Sequence, residues 1–194
     1  MDNLWAIPFG IWAMVPALMP NSVAVLFGGG LPVDFGRTWK GKRIFGDGKT
    51  WGGFIGGAAV GMLVGMITLL LAQVYPPDVW WPGAPVGYGF GDMPQAIGVV
   101  FLLAVGAMLG DMAGAFIKRR LGYERGRKVP ILDQYDFVAG ALLLNLVFYP
   151  SWVLNTFVYG LGWISLLIVL VLVWVLHRGF NIIGYKAGLK KEPW

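Results

Sequence analysis

Three aspartates and a run of cations bracket one short loop. Asp111 lies near the end of a long apolar stretch, Asp133 and Asp136 open the next, and Lys118, Arg119, Arg120, Arg125, Arg127 and Lys128 stand between them. Carboxylates are the ligands that hard divalent cations such as Mg²⁺ take, and lysine and arginine side chains bind phosphate. The pattern suits a metal–nucleotide complex held at a membrane surface, and the chemistry it would support is phosphoryl chemistry.

Asp111 follows Gly110 in an apolar run that continues through Phe116 and Ile117, so a helix would carry it about one and a half to two turns below the basic cluster. Ionisable residues at that depth face the bundle interior and mark function. Asp111 and Lys118 share a helix face, which would aim a metal-binding carboxylate and a phosphate-binding ammonium into one cavity. A structural salt bridge between those two is the alternative. Asp133 and Asp136, at i and i+3, also share a face; one could serve only as a helix cap, but capping does not require both, and shared metal ligation is the expectation. His177, the only histidine, stands beside Arg178 and reads as interfacial rather than catalytic. Without Cys or a second His, no nucleophile–base pair is expected. A phosphate nucleophile needs neither, because its second pKa of about 6 leaves it largely ionised at neutral pH.

A second basic segment runs from Gly28-Gly29-Gly30 through Asp34, Gly36, Arg37, Lys40, Lys42, Arg43 and Asp47 to Gly48-Lys49-Thr50. Glycines permit close backbone approach to phosphate, and Gly48-Lys49-Thr50 invites a P-loop reading. That reading fails: Arg43 stands where the motif needs its first glycine, and no strand is expected before the loop. A solvated loop touching anionic lipid would explain the lysines but not Asp34, Asp47 and so many glycines.

The elements that must position these groups are membrane helices. The chain is 57% hydrophobic and 13% charged, with mean hydropathy +0.68, whereas soluble domains carry roughly a quarter charged residues. Apolar windows long enough to span a bilayer occur at about 4–27, 52–75, 95–117, 137–158 and 161–184. The expected fold is therefore an all-α polytopic bundle of about five transmembrane helices forming one domain over residues 1–194. Pro8, Pro16 and Pro20-Asn21 in the first window and Pro150 in the fourth predict kinks or short unwound turns.

Five spans place every one of the 15 Lys and Arg on one face, after helices one, three and five. The positive-inside rule makes that face cytoplasmic, with the N-terminus outside and the C-terminus inside. Trp80 and Trp81 then fall in an external loop as interfacial anchors. Glycines 52, 53, 56, 57, 61 and 65 form a small-residue stripe for close helix packing, inside the bundle or between the subunits of a homodimer. The sequence start has no basic n-region, so no cleavable signal peptide is expected. The absence of Cys excludes disulfides and thiolate metal sites. The net charge of +5 is met by anionic lipid headgroups and phosphate substrates, and no pattern calls for nucleic acid.

Taken together, the two loops resemble those of the archaeal CDP-archaeol synthases, small membrane enzymes related to the C-terminal part of phosphatidate cytidylyltransferases. The first signature is Gly28 to Gly36 with Lys42-Arg43 and Gly46 to Thr50. The second is Gly110-Asp111 with Phe116 to Gly122, then Arg125-Gly126, Pro130 and Leu132 to Phe137. Gln134 replaces the arginine of the wider superfamily's Asp-Arg-x-Asp ending. Ala115 stands where serine is expected and Gly52 where arginine is expected, departures that bear on phosphate contacts and leave the metal ligands in place.

The resemblance implies CMP transfer from CTP to an isoprenoid ether glycerol phosphate, giving CDP-archaeol and pyrophosphate with Mg²⁺, or Mn²⁺ in its place. On that reading Asp111, Asp133 and Asp136 hold the metal, and Lys118, Arg119 and Arg120 neutralise the departing pyrophosphate. Asp34, Lys42, Arg43, Asp47, Lys49 and Thr50 contact cytidine or phosphate, and Asn21 contacts either substrate. Three rivals stand beside it. The first is a phosphatidate cytidylyltransferase acting on an ester lipid. The second, a CDP-alcohol phosphotransferase, needs an Asp-Gly-x-x-Ala-Arg signature that Asp47-Gly48-Lys-Thr-Trp-Gly does not supply. The third is a small transporter or channel with Asp111 as its ion site, which has no reason to bind CTP.

Overall fold

The computed structural model describes residues 4–75, 89–124, 126–127 and 129–188, apart from the side chains at 177 and 180. The expectations for Trp80, Trp81 and the His177 side chain lie outside these described residues. Five helical segments are long and apolar enough to cross a membrane: Ala6–Phe27, Trp51–Val74, Met93–Arg120, Pro130–Phe148 and Gly162–Lys186. The all-α expectation holds, with one addition, a small β-hairpin in the first basic loop.

Proline decides how the first span is built. Pro16 has no N–H to give the Trp12 carbonyl, and the span divides at Met14 into α1 (Ala6–Ala13) and α2 (Val15–Ala24), with a short 3₁₀ turn over Val25–Phe27. The division falls there and not at Pro20-Asn21, because Pro20 is absorbed inside α2. Its neighbour α3 (Trp51–Val74) supplies the reason. A Cβ at Gly61 would meet the Pro16 carbonyl oxygen at 2.8 Å and Pro20 Cγ at 2.6 Å, and one at Gly57 would meet the Pro20 carbonyl oxygen at 3.0 Å. The glycine stripe therefore packs within the chain against this carbonyl edge of α2, where Pro20 leaves the Pro16 carbonyl without its helical donor. Gly52 belongs to the same contact: a Cβ there would lie 2.7 Å from the Phe27 carbonyl oxygen, so this backbone has no room for the arginine of the family pattern.

The tightest crossing joins α4 (Met93–Arg120) to α5 (Pro130–Phe148). Gly106, Gly110 and Gly114 on α4 face Asp136, Gly140 and Ala141 on α5, and a Cβ at Gly140 would run into the Gly106 carbonyl oxygen and lie 2.5 Å from Gly110 Cα. This contact brings Asp111 and Asp136 to neighbouring helices at one depth. Asp92 caps α4 by accepting the Gln95 N–H at 3.0 Å, and Lys118, Arg119 and Arg120 end it, where cations favour the helix dipole.

Helix α5 starts seven residues earlier than the expected window. Pro130 takes its first position and Asp133 reaches back to accept the Val129 N–H at 2.9 Å. It ends at Phe148 because Pro150 cannot donate, and a separate short helix α6 (Pro150–Phe157) follows. Helix α7 (Gly162–Lys186) completes the bundle. At the end far from the basic loops, Phe9, Phe90, Trp152 and Phe157 pack ring to ring, with centroids 5.4–5.8 Å apart.

Candidate active site

The first basic loop folds around Asp34. Its carboxylate is shut off from solvent and accepts the backbone N–H groups of Gly36, Phe45 and Gly46 at 2.9–3.0 Å, together with Arg43 Nη2 at 2.6 Å and Nε at 3.3 Å. Burial alone would raise its pKa. The Arg43 hydrogen bonds and the Gly46, Phe45 and Gly36 amides outweigh that and hold it well below the usual carboxylate range. Arg43 also pairs with Asp47 through Nη1 at 2.5 Å. Between these contacts the chain makes the hairpin β1 (Thr38–Trp39) and β2 (Lys42–Arg43), turned by Lys40 and Gly41 at φ +50° and +73°, the double left-handed turn that matches strand twist.

Arg120 fastens this hairpin to the end of α4. Its guanidinium donates to the carbonyls of Trp39 at 2.5 Å, Lys42 at 3.1 Å and Arg43 at 2.7 Å. It also lies against the rings of Trp39 and Phe116, which stack on each other. Arg120 and Asp34 are therefore committed to holding the loop, and neither lines the cavity described next. Thr50 is committed in part: as the N-cap of α3 its hydroxyl accepts the Gly53 N–H at 3.1 Å, while its side of the residue still borders the cavity.

That cavity, of about 490 Å³, lies at the basic-loop end of the bundle. Asn21, Asp47, Gly48, Lys49, Thr50, Asp111 and Asp133 form its polar wall. Val25, Phe54, Met108 and Met112 form an apolar one. These apolar residues carry no motif signal in the sequence; Met108 stands about one turn before Asp111 on its face, and Met112 directly follows it. Lys42, Arg43 and Arg119 sit across the Arg43–Asp47 pair, around a smaller cavity of about 290 Å³. Arg119 itself donates to the Tyr123 carbonyl at 2.5 Å.

Two ion pairs engage the carboxylates of the main cavity wall. Lys49, from the first loop, pairs with Asp111 on α4. Lys118, from the end of α4, pairs with Asp133 on α5 at 2.5 Å. The salt bridge considered from sequence, Asp111 with Lys118, is not the one formed: each carboxylate takes a lysine from a different element. All four side chains are about a quarter exposed, at 27%, 23%, 22% and 21%. Pairs this open contribute about 0–1 kcal/mol each, so they can be exchanged for other partners. Asp136 lies deeper, its carboxylate filling the space left by Gly114 and accepting the Phe137 N–H at 2.7 Å, within electrostatic reach of Asp111, Lys49 and Lys118.

Among the described residues, no three acids converge closely enough to enclose a cation as they stand. The donor set nevertheless fits a hard cation. Asp111 and Asp133 border one cavity, and the Asn21 amide oxygen at its wall is buried with no protein partner. Oxygen donors of this kind are what Mg²⁺ and Mn²⁺ take.

A five-span bundle whose polar cavity holds carboxylates and ammoniums at one membrane face is the build of an intramembrane enzyme. Comparisons with known proteins give the same class and a family within it. Residues 4–194 match the CarS-like family, described as CDP-archaeol synthase. The CDP-archaeol synthase of Methanospirillum hungatei is 48% identical over 182 residues, covering 93% of this chain and all of that protein, and that of Methanoculleus marisnigri is 46% identical over the same share of each. A solved structure of an intramembrane enzyme for archaeal membrane lipid biosynthesis superposes with a TM-score of 0.66 at 34% identity, covering 94% of this chain and 96% of that one. The chain belongs to the CDP-archaeol synthase family, and it is a membrane cytidylyltransferase of archaeal lipid synthesis.

Proposed function

We propose that this enzyme transfers CMP from CTP to an isoprenoid ether glycerol phosphate, giving CDP-archaeol and pyrophosphate, with Mg²⁺ as the working cation. The observation that carries the reading is the pair of cross-element contacts, Lys49–Asp111 and Lys118–Asp133, whose carboxylates both border one cavity that is polar on one side and apolar on the other. A nucleotide's phosphates match the polar side, and a lipid's chains match the apolar one.

In the reaction a phosphate oxygen of the lipid attacks the α-phosphorus of CTP. The new O–P bond forms as the bond from the α-phosphorus to the β-phosphate's bridging oxygen breaks, and the electron pair leaves with pyrophosphate. No protein base is needed, since the lipid phosphate is already ionised. Asp111, Asp133 and Asp136 are the residues that would hold the cation, which supplies charge neutralisation at the triphosphate. Lys49 and Lys118 stand where the β- and γ-phosphates can take their ammoniums. Lys42, Arg43 and Arg119, across the Asp47 wall, offer the departing pyrophosphate a second cationic surface. Asp34 and Arg120 act by holding the loop that carries Lys49.

The site faces the cytoplasm, where CTP is made, with the N-terminus outside. The placement of the basic residues supports this orientation. Purified protein given CTP labelled in the α-phosphate with either a geranylgeranyl ether phosphate or a diacyl phosphatidic acid tests the lipid. Faster accumulation of lipid-soluble label from the ether substrate, lost in EDTA, is expected. Preference for the ester lipid would move the chain to a phosphatidate cytidylyltransferase activity, and full activity in chelator would remove the metal.

A further inference from the structure

We infer that Lys49 and Lys118 act as resident counter-ions of the metal-binding carboxylates, so that the divalent cation enters only together with the nucleotide. This rests on the reading just given of Asp111 and Asp133 as metal ligands.

The Asp111 and Asp133 carboxylates are each neutralised by an ammonium brought from a different element. Lys49 comes 62 residues ahead of Asp111, and Lys118 comes 15 ahead of Asp133, so neither pair follows from helix spacing. Asp133 is further engaged by the Val129 N–H on its other oxygen. A bare cation approaching this wall meets carboxylates that already carry positive partners, and it must displace a lysine without bringing an anion for it. A cation arriving on a triphosphate brings new anions with it. The phosphate oxygens take the two ammoniums, and the carboxylates turn to the metal, so charge stays matched on both sides of the exchange. Both carboxylates border the cavity, all four side chains are partly exposed, and each pair ties two separate elements, as such an exchange requires. The same exchange draws the first loop, α4 and the start of α5 onto the nucleotide.

The consequence is a coupling between metal and nucleotide. If CTP tightens metal binding by some factor, the metal tightens CTP binding by the same factor, by linkage. The probe is Mn²⁺, titrated into detergent-purified enzyme and read from the electron paramagnetic resonance signal of the free ion, with and without CTP and with no lipid acceptor present, so that nothing turns over. Wild-type protein should bind Mn²⁺ at least about tenfold more tightly with CTP. Lys49→Met and Lys118→Met should bind Mn²⁺ more tightly than wild type in the absence of CTP and lose most of the coupling. Lys49→Arg, which keeps the charge, should show no such gain in CTP-independent Mn²⁺ binding.

Equal Mn²⁺ affinity with and without CTP in the wild type would overturn the exchange, and so would Lys→Met variants that gain no CTP-independent binding. Because CTP chelates Mn²⁺ by itself, the gain in CTP-independent Mn²⁺ binding on removal of a lysine charge is the deciding result, and Lys49→Gln and Lys118→Gln carry the same comparison if a Lys→Met variant does not fold. Asp111→Asn separates the two levels. If it abolishes Mn²⁺ binding in a wild type that shows no coupling, only the exchange falls. If wild type and Asp111→Asn bind Mn²⁺ alike, the metal assignment falls and the exchange with it.

Discussion

Lys49 and Asp111 join the first basic loop to the third membrane span through an ion pair that no local spacing prepares. The loop end of this pair is fixed by Thr50, which caps α3 immediately after Lys49, and by Asp34, which gathers the loop's own amides. The helix end is fixed by the glycine crossing of α4 on α5. An aspartate placed about two to three turns inside a span thereby acquires a cation from a loop outside it.

If Asp111 and Asp136 ligate a catalytic metal, Asp→Asn at either keeps size and removes charge. Turnover should then fall by more than the roughly 10–100-fold that loss of a residue merely supporting a metal ligand costs. The melting temperature should stay close to wild type. Asp92→Asn is the control, since asparagine caps a helix as well as aspartate does. Specific activity and melting temperature measured on the same preparations check it: near-normal CMP transfer by folded Asp111→Asn would remove Asp111 from the site.

Asp34 should behave differently. Asp34→Asn breaks the pair with Arg43 inside the loop and should lower stability by about 1.5–3 kcal/mol, the range for hydrogen bonds to charged groups. Its folded pKa lies below the unfolded value, so its contribution is fully present above the ordinary carboxylate range and is lost as pH falls below it. Thermal melts from neutral to acid pH should show the gap between wild type and Asp34→Asn constant near neutrality and closing below about pH 4. A gap that widens in acid would contradict the assignment.

The glycine crossing should be intolerant of the smallest addition. Gly140→Ala places a methyl against the Gly106 carbonyl and Gly110 Cα, and overpacking of this kind costs about 1–3 kcal/mol. Because α5 carries Asp136 and Asp133, activity should fall beyond the loss of folded protein. Unchanged melting and turnover would mean that the two helices separate without moving the acids.

Much of this molecule is legible in its sequence, and the exceptions have physical causes. Hydropathy marks the five spans because lipid demands long apolar helices. It places the start of the fourth span too late because Asp133 and Asp136 depress the window where helix α5 already runs. Pro150 reads correctly as a break, whereas Pro20 does not break its helix, because the glycines of α3 accommodate its neighbourhood. Asp111, Asp133 and Lys49 are visible as candidates by residue type, but not who pairs with whom. Arg120 and Asp34 look like ligand-binding groups in sequence. Their commitment to holding the loop appears only when carbonyls 77–81 residues from Arg120, and amides up to 12 residues from Asp34, are brought around them.

The orientation can be read with cysteines in this Cys-free background. Ala84→Cys should react with an impermeant maleimide in intact cells, while Lys190→Cys should react only after lysis. The reverse pattern would turn the site to the outside.

The most direct test of the central claim is the fate of label from CTP. Purified enzyme with the ether lipid phosphate and Mg²⁺ should move label from the α-phosphate into the lipid phase, while label from the γ-phosphate leaves in water-soluble pyrophosphate. Lipid carrying the γ-label would mean phosphate transfer rather than CMP transfer, and no lipid label from either position, with CTP bound or unbound, would contradict the account.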